Sequence, residues 1–275
     1  MRLAVAGGLA CAISLVCVPD VAANECPGNP DALGVSRVLE VDTSGGPRLG
    51  RLQYGQTLDL EPKEVVLTFD DGPHPRYTRR ILKALDRECV KATFFPVGVW
   101  ARQIPHVLRL VAERGHTVGT HTWSHPLHLG RLSFASAQQQ IEKGIAAIET
   151  ALGRPPAPFF RFPGLNHTRK LKDYLGTRDT AVFSCDIATD DWRGIGPRTI
   201  LRRTLARLRR KGRGIVLFHD TKSSTAKALP KLLRALKQGG YRIVHIVPRE
   251  APAPVPSAVI VAQTDSDDRE QTQAR

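Results

Sequence analysis

Two adjacent carboxylates, Asp70 and Asp71, close the apolar run Val65-Val66-Leu67-Thr68-Phe69 and are followed by Gly72 and Pro73. Like charges side by side at the end of a buried strand repel unless a cation stands near them. Two histidines, His121 and His125, lie four residues apart. A single helical turn at that spacing brings both rings to one side, which suits a metal ion. Two imidazoles and one carboxylate leave a coordination position open, as hydrolytic zinc sites require, so one of the two aspartates completes the set. A bound cation removes most of the repulsion within the pair, and a bend at Gly72 turns both carboxylates towards the mouth of the site. The remaining carboxylate is then free to act as general base on a water.

Three further positions supply what such a base needs around it. Arg161, inside Phe159-Phe160-Arg161-Phe162, is a guanidinium in an apolar setting and requires a carboxylate partner, so it is the natural group to hold the base ionised. His219 ends Ile215-Val216-Leu217-Phe218-His219. By strand alternation Leu217 faces the same way and lines a pocket beside a histidine able to protonate a leaving group. Asp190 or Asp191, just before Trp192, raises the pKa of that histidine and keeps it charged. Each residue alone has an ordinary reading as a helix cap, a core histidine or a salt-bridged arginine. Their recurrence at the ends of successive apolar runs points to one catalytic site.

Those groups need a frame that brings the ends of distant segments together. Between Lys63 and Val247, seven short apolar runs, within 65–69, 93–97, 116–120, 158–162, 181–185, 215–219 and 241–246, alternate in most intervals with stretches of helical character. The helical stretches fall at 78–88, 104–114, 133–152, 198–211 and 226–238. This alternation predicts an α/β fold, a parallel sheet of about seven strands covered by helices and closed as a distorted (β/α) barrel. In such barrels the functional side chains gather at the carboxyl ends of the strands, where the polar residues above fall.

The rest of the chain sets bounds. Residues 1–23 carry Arg2, an apolar stretch and a final Val21-Ala22-Ala23, the order of a signal peptide. The apolar stretch is shorter than the ~20 residues a membrane span requires. The expectation is an exported protein, periplasmic or secreted, with no membrane span. Residues 24–62, with several Gly and Pro and no strong period, read as an extended arm packed on a catalytic domain over 63–248. The tail 249–275, Pro-rich and then polar, reads as disordered. Cys26, Cys89 and Cys185 are too few and too widely spaced for a disulfide framework; Cys89 and Cys185 read as small buried hydrophobes, although one pair has room to form in an oxidising compartment. The net charge of +14 favours anionic partners such as cell-wall polymers, acidic polysaccharide or lipid headgroups. Its densest part, residues 197–213, reads as a solvated amphipathic helix face, and no zinc-finger spacing or aromatic-interleaved basic ribbon accompanies it to indicate nucleic acid.

Taken in order, Thr68 to Pro75, His121 to Pro126 with Leu132-Ser133 beyond, Phe159 to Gly164, Asp190-Asp191-Trp192 and Ile215 to Asp220 resemble the motifs of the polysaccharide deacetylase family, also called the NodB homology domain or carbohydrate esterase family 4. The resemblance covers about residues 63–247. It implies a distorted barrel of fewer than eight strands and metal-dependent removal of acetyl groups from glycans such as chitooligosaccharide, peptidoglycan or an exported polysaccharide. Position by position it implies Asp70 as base and Asp71, His121 and His125 as ligands of a divalent metal, usually zinc. Arg161 would hold Asp70, Asp191 would tune His219 as general acid, and Trp192 and Leu217 would shape the pocket for the acetyl methyl. The backbone N–H of Gly164 would serve the oxyanion. Many members carry an aromatic residue after the proline of the arginine motif; here Pro163 is followed by Gly164, so that wall of the sugar site is missing or comes from elsewhere. The motifs read the acyl group more closely than the rest of the substrate, which leaves an O-acetyl polysaccharide or another amide as alternatives, with a non-catalytic glycan- or anion-binding protein behind them.

Overall fold

The computed structural model describes residues 26–249; the leader read over 1–23 and all of the tail beyond Arg249 lie outside them. The described chain opens with β1 (Arg37–Val41) and β2 (Arg48–Leu49) and then alternates: β3 (Glu64–Asp70), α1 (Tyr77–Arg87), β4 (Thr93–Phe95), α2 (Gly98–Gln103), α3 (Pro105–Glu113), β5 (Thr117–Val118), α4 (Phe134–Leu152), β6 (Phe159–Phe160), α5 (Arg169–Gly176), β7 (Ala181–Phe183), β8 (Ile187–Ala188), α6 (Pro197–Lys211), β9 (Gly214–His219), α7 (Ser223–Gln238) and β10 (Arg242–Pro248). No helix among the described residues is long and apolar enough to cross a membrane.

Every strand pairing is parallel. β9, β3, β4 and β5 follow one another, the bridge Thr120 to Phe160 carries the circuit on to β6, and β7 comes next. β8, a continuation of the β7 segment beyond a bend at Asp186, pairs with β9 and completes the turn. This is the predicted distorted barrel. Its weakest side lies between β7 and β8, where no helix intervenes. The segment 24–62 is more than an arm: β1 pairs with β10, and β2 pairs with β7 in the small sheet β2-β7-β6. Strands of two and five residues with mixed polarity show no period long enough to read from sequence.

Strand alternation divides the core in two. On β3, Val65, Leu67 and Phe69 pack outward under the helices, in one cluster with Leu82 of α1 and Leu233 of α7. Val66 faces the lumen with Phe95, Phe159, Phe183, Ile215, Leu217 and Ile246. Both faces of β3 are therefore buried, which explains its unbroken apolar run. The same parity that sends Val66 and Thr68 inward sends Asp70 inward at the carboxyl end, and Leu217 and His219 follow suit on β9.

Cys89 is not the isolated buried hydrophobe of the sequence reading. It is joined to Cys26 by a disulfide that ties the start of the described chain to the end of α1, across a separation of 63 residues. Cys185 is free and buried, as expected.

Candidate functional site

Asp70 is the last residue of β3 and is buried. Its Oδ1 accepts from Arg161 Nη1 at 2.6 Å. Arg161 follows β6, faces the lumen in step with Phe159 and has no exposed surface. Its other donors are used within the barrel: Nη1 also meets Thr68 Oγ1 at 2.8 Å, Nη2 meets the Ser184 carbonyl at 2.9 Å, and the guanidinium lies 4.3 Å over the Phe95 ring. A buried guanidinium with every direction occupied is a fixed positive wall for Asp70, and it orients one carboxylate oxygen while leaving Oδ2 to face the cleft.

The chain turns at Asp71 itself, whose φ is +76°, and not at Gly72 as the sequence reading had it. This left-handed residue sends the Asp71 carboxylate to the side of Asp70. His121 and His125 lie in an irregular loop after β5, not on a helical turn; Thr122 and His125 adopt φ of +65° and +58°, and these two turns bring the ring centroids to 4.9 Å. The i, i+4 spacing was therefore a sound signal for the wrong geometry. His121 Nδ1 meets the Arg161 carbonyl at 2.6 Å, which assigns that nitrogen the proton and leaves Nε2 as a lone pair. Burial holds the His121 imidazole at a pKa of about 4 against the opposing pull of Asp70, so it is neutral at physiological pH.

One ligand atom from each of Asp71, His121 and His125 lies within 4.8 Å of the others. Asp71 Oδ1 is buried and has no hydrogen-bond partner, although His125 Nε2 lies 3.2 Å away and His121 Nε2 3.7 Å away. Three lone-pair atoms converging on one point around an orphaned carboxylate oxygen fit a divalent cation. Two imidazoles with one carboxylate also match an open hydrolytic site by donor set.

On the opposite wall, His219 ends β9 and its Nδ1 meets Asp191 Oδ1 at 2.7 Å. Asp191 Oδ2 accepts from the His219 N–H at 2.8 Å and from Thr225 Oγ1 at 2.5 Å. Burial works against a charged His219, but the hydrogen bond and charge of Asp191 outweigh it and lift the pKa to about 9, with Asp71 and Asp70 adding to the lift. Of the three aspartates near Trp192, geometry selects Asp191. Asp190 is bound by Arg203 at 3.0 Å and Arg207 at 2.7 Å, and Asp186 accepts from the Thr57 hydroxyl and the Arg51 and Ile215 N–H groups.

Asp70, Asp71, His121, His125, Leu217, Trp192, Gly164 and His219 all open on one cleft of about 980 Å³. Trp192 is 56 % exposed and presents its ring to it. Gly164, at φ +55°, has Leu127 beside it: a Cβ on this glycine would stand in ordinary contact, 3.5 Å from Leu127 Cδ2. The wall expected of an aromatic residue at this position thus comes from Leu127, which is 58 % exposed, and from the lip of the β2 loop at Leu52.

Sequence reasoning gave Asp220 no role. It is buried behind the site, with its N–H on the Asp70 carbonyl at 3.1 Å and its Oδ2 accepting from Thr78 Oγ1 at 2.5 Å. Burial pushes its carboxyl up to about 7. The only available signal was its place directly after His219. Thr68, Ser184 and Thr225, which complete the polar contacts of Arg161 and Asp191, carry no sequence signal at all. His116 and His245 are buried at the far side of the barrel beside Lys91.

A barrel with an open triad of ligands at the carboxyl ends of its strands, flanked by a held carboxylate and a held imidazole, defines a hydrolase-type centre. A family model described as polysaccharide deacetylase matches residues 57–179. The peptidoglycan-N-acetylmuramic acid deacetylase of Bacillus subtilis is 32% identical over 198 residues, covering 70% of this chain and 39% of that protein. A peptidoglycan-N-acetylglucosamine deacetylase of Bacillus cereus is 32% identical over 192 residues, covering 67% of this chain and 86% of its own length. A solved peptidoglycan deacetylase of Bdellovibrio bacteriovorus superposes with a TM-score of 0.71 at 38% identity, covering 78% of this chain and 59% of that one. The chain belongs to the polysaccharide deacetylase family. It spans well under half the length of the Bacillus subtilis relative.

Proposed function

We propose that the protein is an exported, zinc-dependent deacetylase that hydrolyses the N-acetyl groups of N-acetylglucosamine-containing glycans and releases acetate. The observation that carries this reading is the pairing across one cleft of an Arg161-held carboxylate with an Asp191-held, protonated histidine, the ligand triad lying between them. Asp71, His121 and His125 would hold a divalent cation, which would supply Lewis acidity towards a water and an acyl oxygen.

The chain's own groups do the proton work. Asp70 Oδ2, unpaired by Arg161 and facing the cleft, takes the proton of the attacking water. The water oxygen bonds to the acetamide carbon, and the carbon–nitrogen bond breaks as His219 Nε2 delivers its proton to the leaving nitrogen, giving acetate and a free amine. Leu217 and Trp192 exclude water around the acetyl methyl, and the Gly164 N–H faces the developing negative charge. The Cys26–Cys89 disulfide supports export, since such bonds persist in oxidising compartments.

Acetate release is to be measured with zinc-loaded protein on N-acetylglucosamine oligomers and on peptidoglycan, with Asp70→Asn as control. The expected outcome is release by the wild type and a fall of roughly 10²–10⁴-fold in the variant. Silence of the wild type on both, with zinc shown to be bound, would remove the glycan assignment.

A further inference from the structure

The cleft does not end at the ligand triad. Helix α6 starts at Pro197, just after the Asp191–Arg193 turn, and must run back against the strands to join parallel β8 to β9. Residues of its last two turns, Arg207, Arg210 and Lys211, line the same cleft as Asp71 and His125. At 1.5 Å per residue, Arg210 lies about 20 Å along the helix from Pro197. No helix lies between β7 and β8; the segment after β2 covers this flank, with the Leu52 N–H on the Cys185 carbonyl and Thr57 on Asp186, and Leu52 and Asp186 share the cleft's lining with Arg210.

Arg203, Arg207, Arg210 and Lys211 fall on one helical stripe, at i, i+4, i+7 and i+8. This stripe is not the freely solvated face expected from sequence. Its first half is consumed locally: Arg203 and Arg207 converge on Asp190, and Arg207 also donates to the Ala188 carbonyl. The other carboxylate on this wall, Asp186, is turned inward onto Thr57 Oγ1 at 2.8 Å and the Ile215 N–H at 2.8 Å. Arg210 and Lys211 continue the stripe into the cleft, and among the described residues no carboxylate lies within salt-bridge distance of either. A cation pair left over after every local acid has been used presents a field to whatever lies in the cleft.

We infer that Arg210 and Lys211 form a second binding site, a carboxylate subsite remote from the acetamide centre, which takes an anionic substituent of a glycan strand several sugars away from the one being deacetylated. The inference rests on the deacetylase reading for the near end of the cleft. The planar fork of Arg210 suits a carboxylate, and Lys211 adds a point charge beside it. The subsite acts on affinity and not on chemistry, because it is too far from the reacting atoms to touch them.

The test compares the full-length wild type with Arg210→Gln/Lys211→Gln, both substitutions lying on exposed positions. Four substrates separate the sources of charge: neutral N-acetylglucosamine hexamer, peptide-free peptidoglycan strands bearing sugar carboxylates, the same strands with those carboxylates amidated, and strands bearing stem peptides. The expected result is a KM raised about five- to tenfold in the variant on the charged strands, with kcat unchanged. The hexamer and the amidated strands should be turned over alike by both proteins. Added salt should reproduce the loss in the wild type. A larger effect on stem-peptide strands than on peptide-free strands places the bound carboxylate on the peptide; an equal effect places it on the sugar. An unchanged KM on charged strands, or an equal rise on the neutral hexamer, overturns the subsite while leaving deacetylation intact. Calorimetric binding of the charged strands to both proteins is read in parallel, so that absent acetate release overturns the deacetylase reading and lost binding in the variant still reports the subsite.

Discussion

His219 and Asp191 show how one contact sets the working range of a site. The imidazole sits in a place where burial alone would discharge it, and it is charged at neutral pH because Asp191 lies 2.7 Å from Nδ1. In the proposed reaction its proton goes to the leaving amine, so activity should persist up to a basic limb set by this histidine and fall above it. A bound cation, by offsetting Asp70 and Asp71, draws that limb down from about 9, whereas the Asp191 share stays. In Asp191→Asn the lift is lost and burial dominates. The basic limb of the pH–rate profile should move down by at least two units, with roughly a tenfold or greater loss of rate at pH 8. An unshifted limb would show that another group gives up the proton. The residue pairings were partly legible in the sequence: a guanidinium among phenylalanines demanded a partner, and Asp70 is that partner. Residue types alone left Asp190 and Asp191 open and only the family resemblance pointed to Asp191, because the choice depends on which carboxylates are already used by α6 and by the β2 loop.

At the level of elements, the alternating pattern placed seven of the ten strands among the described residues and the five longest helices to within a few residues. It missed β1, β2 and β8 as well as α2 and α5, and it took the loop between β5 and α4 for a helical turn. That loop is placed by tertiary contact. Gly144 of α4 sits against its backbone, and a Cβ there would lie 2.5 Å from the Thr122 carbonyl carbon and 2.9 Å from the Trp123 nitrogen. Alanine at this position gains about 1 kcal/mol of helix propensity but must displace backbone, at a cost of about 1–3 kcal/mol or more for overpacking. The clash wins. Gly144→Ala should shift the loop carrying His121 and His125, lowering zinc affinity in a chelator competition and lowering the melting temperature. Unchanged affinity would show that the two ligands are positioned without α4.

Across the molecule, the barrel has two polar ends with opposite tasks. The far end buries His116 and His245, where burial first and Lys91 next depress the pKa values to about 3 and about 4. Both are neutral in the folded protein, whereas in the unfolded chain each takes up a proton near 6.5. The unfolded state therefore binds more protons between about pH 6.5 and 4, and stability must fall as pH drops through that window. Thermal unfolding followed from pH 7.5 to 4.5 should show this fall, flattened in a His116→Gln/His245→Gln variant; an equally steep fall in the variant would assign it to carboxylates instead. Spacing set His121 and His125 apart in the sequence, but nothing in it placed His116 and His245 in the interior. Arg161, finally, serves two masters by different parts of itself: its side chain fixes Asp70, and its carbonyl fixes His121. A lesion in the side chain would strip Asp70, the proposed base, of its anchor while the main-chain hold on His121 survives. On the proposed reading, metal content and turnover would therefore be separable in this scaffold, and a preparation that arrives fully loaded would be no certificate of a working one.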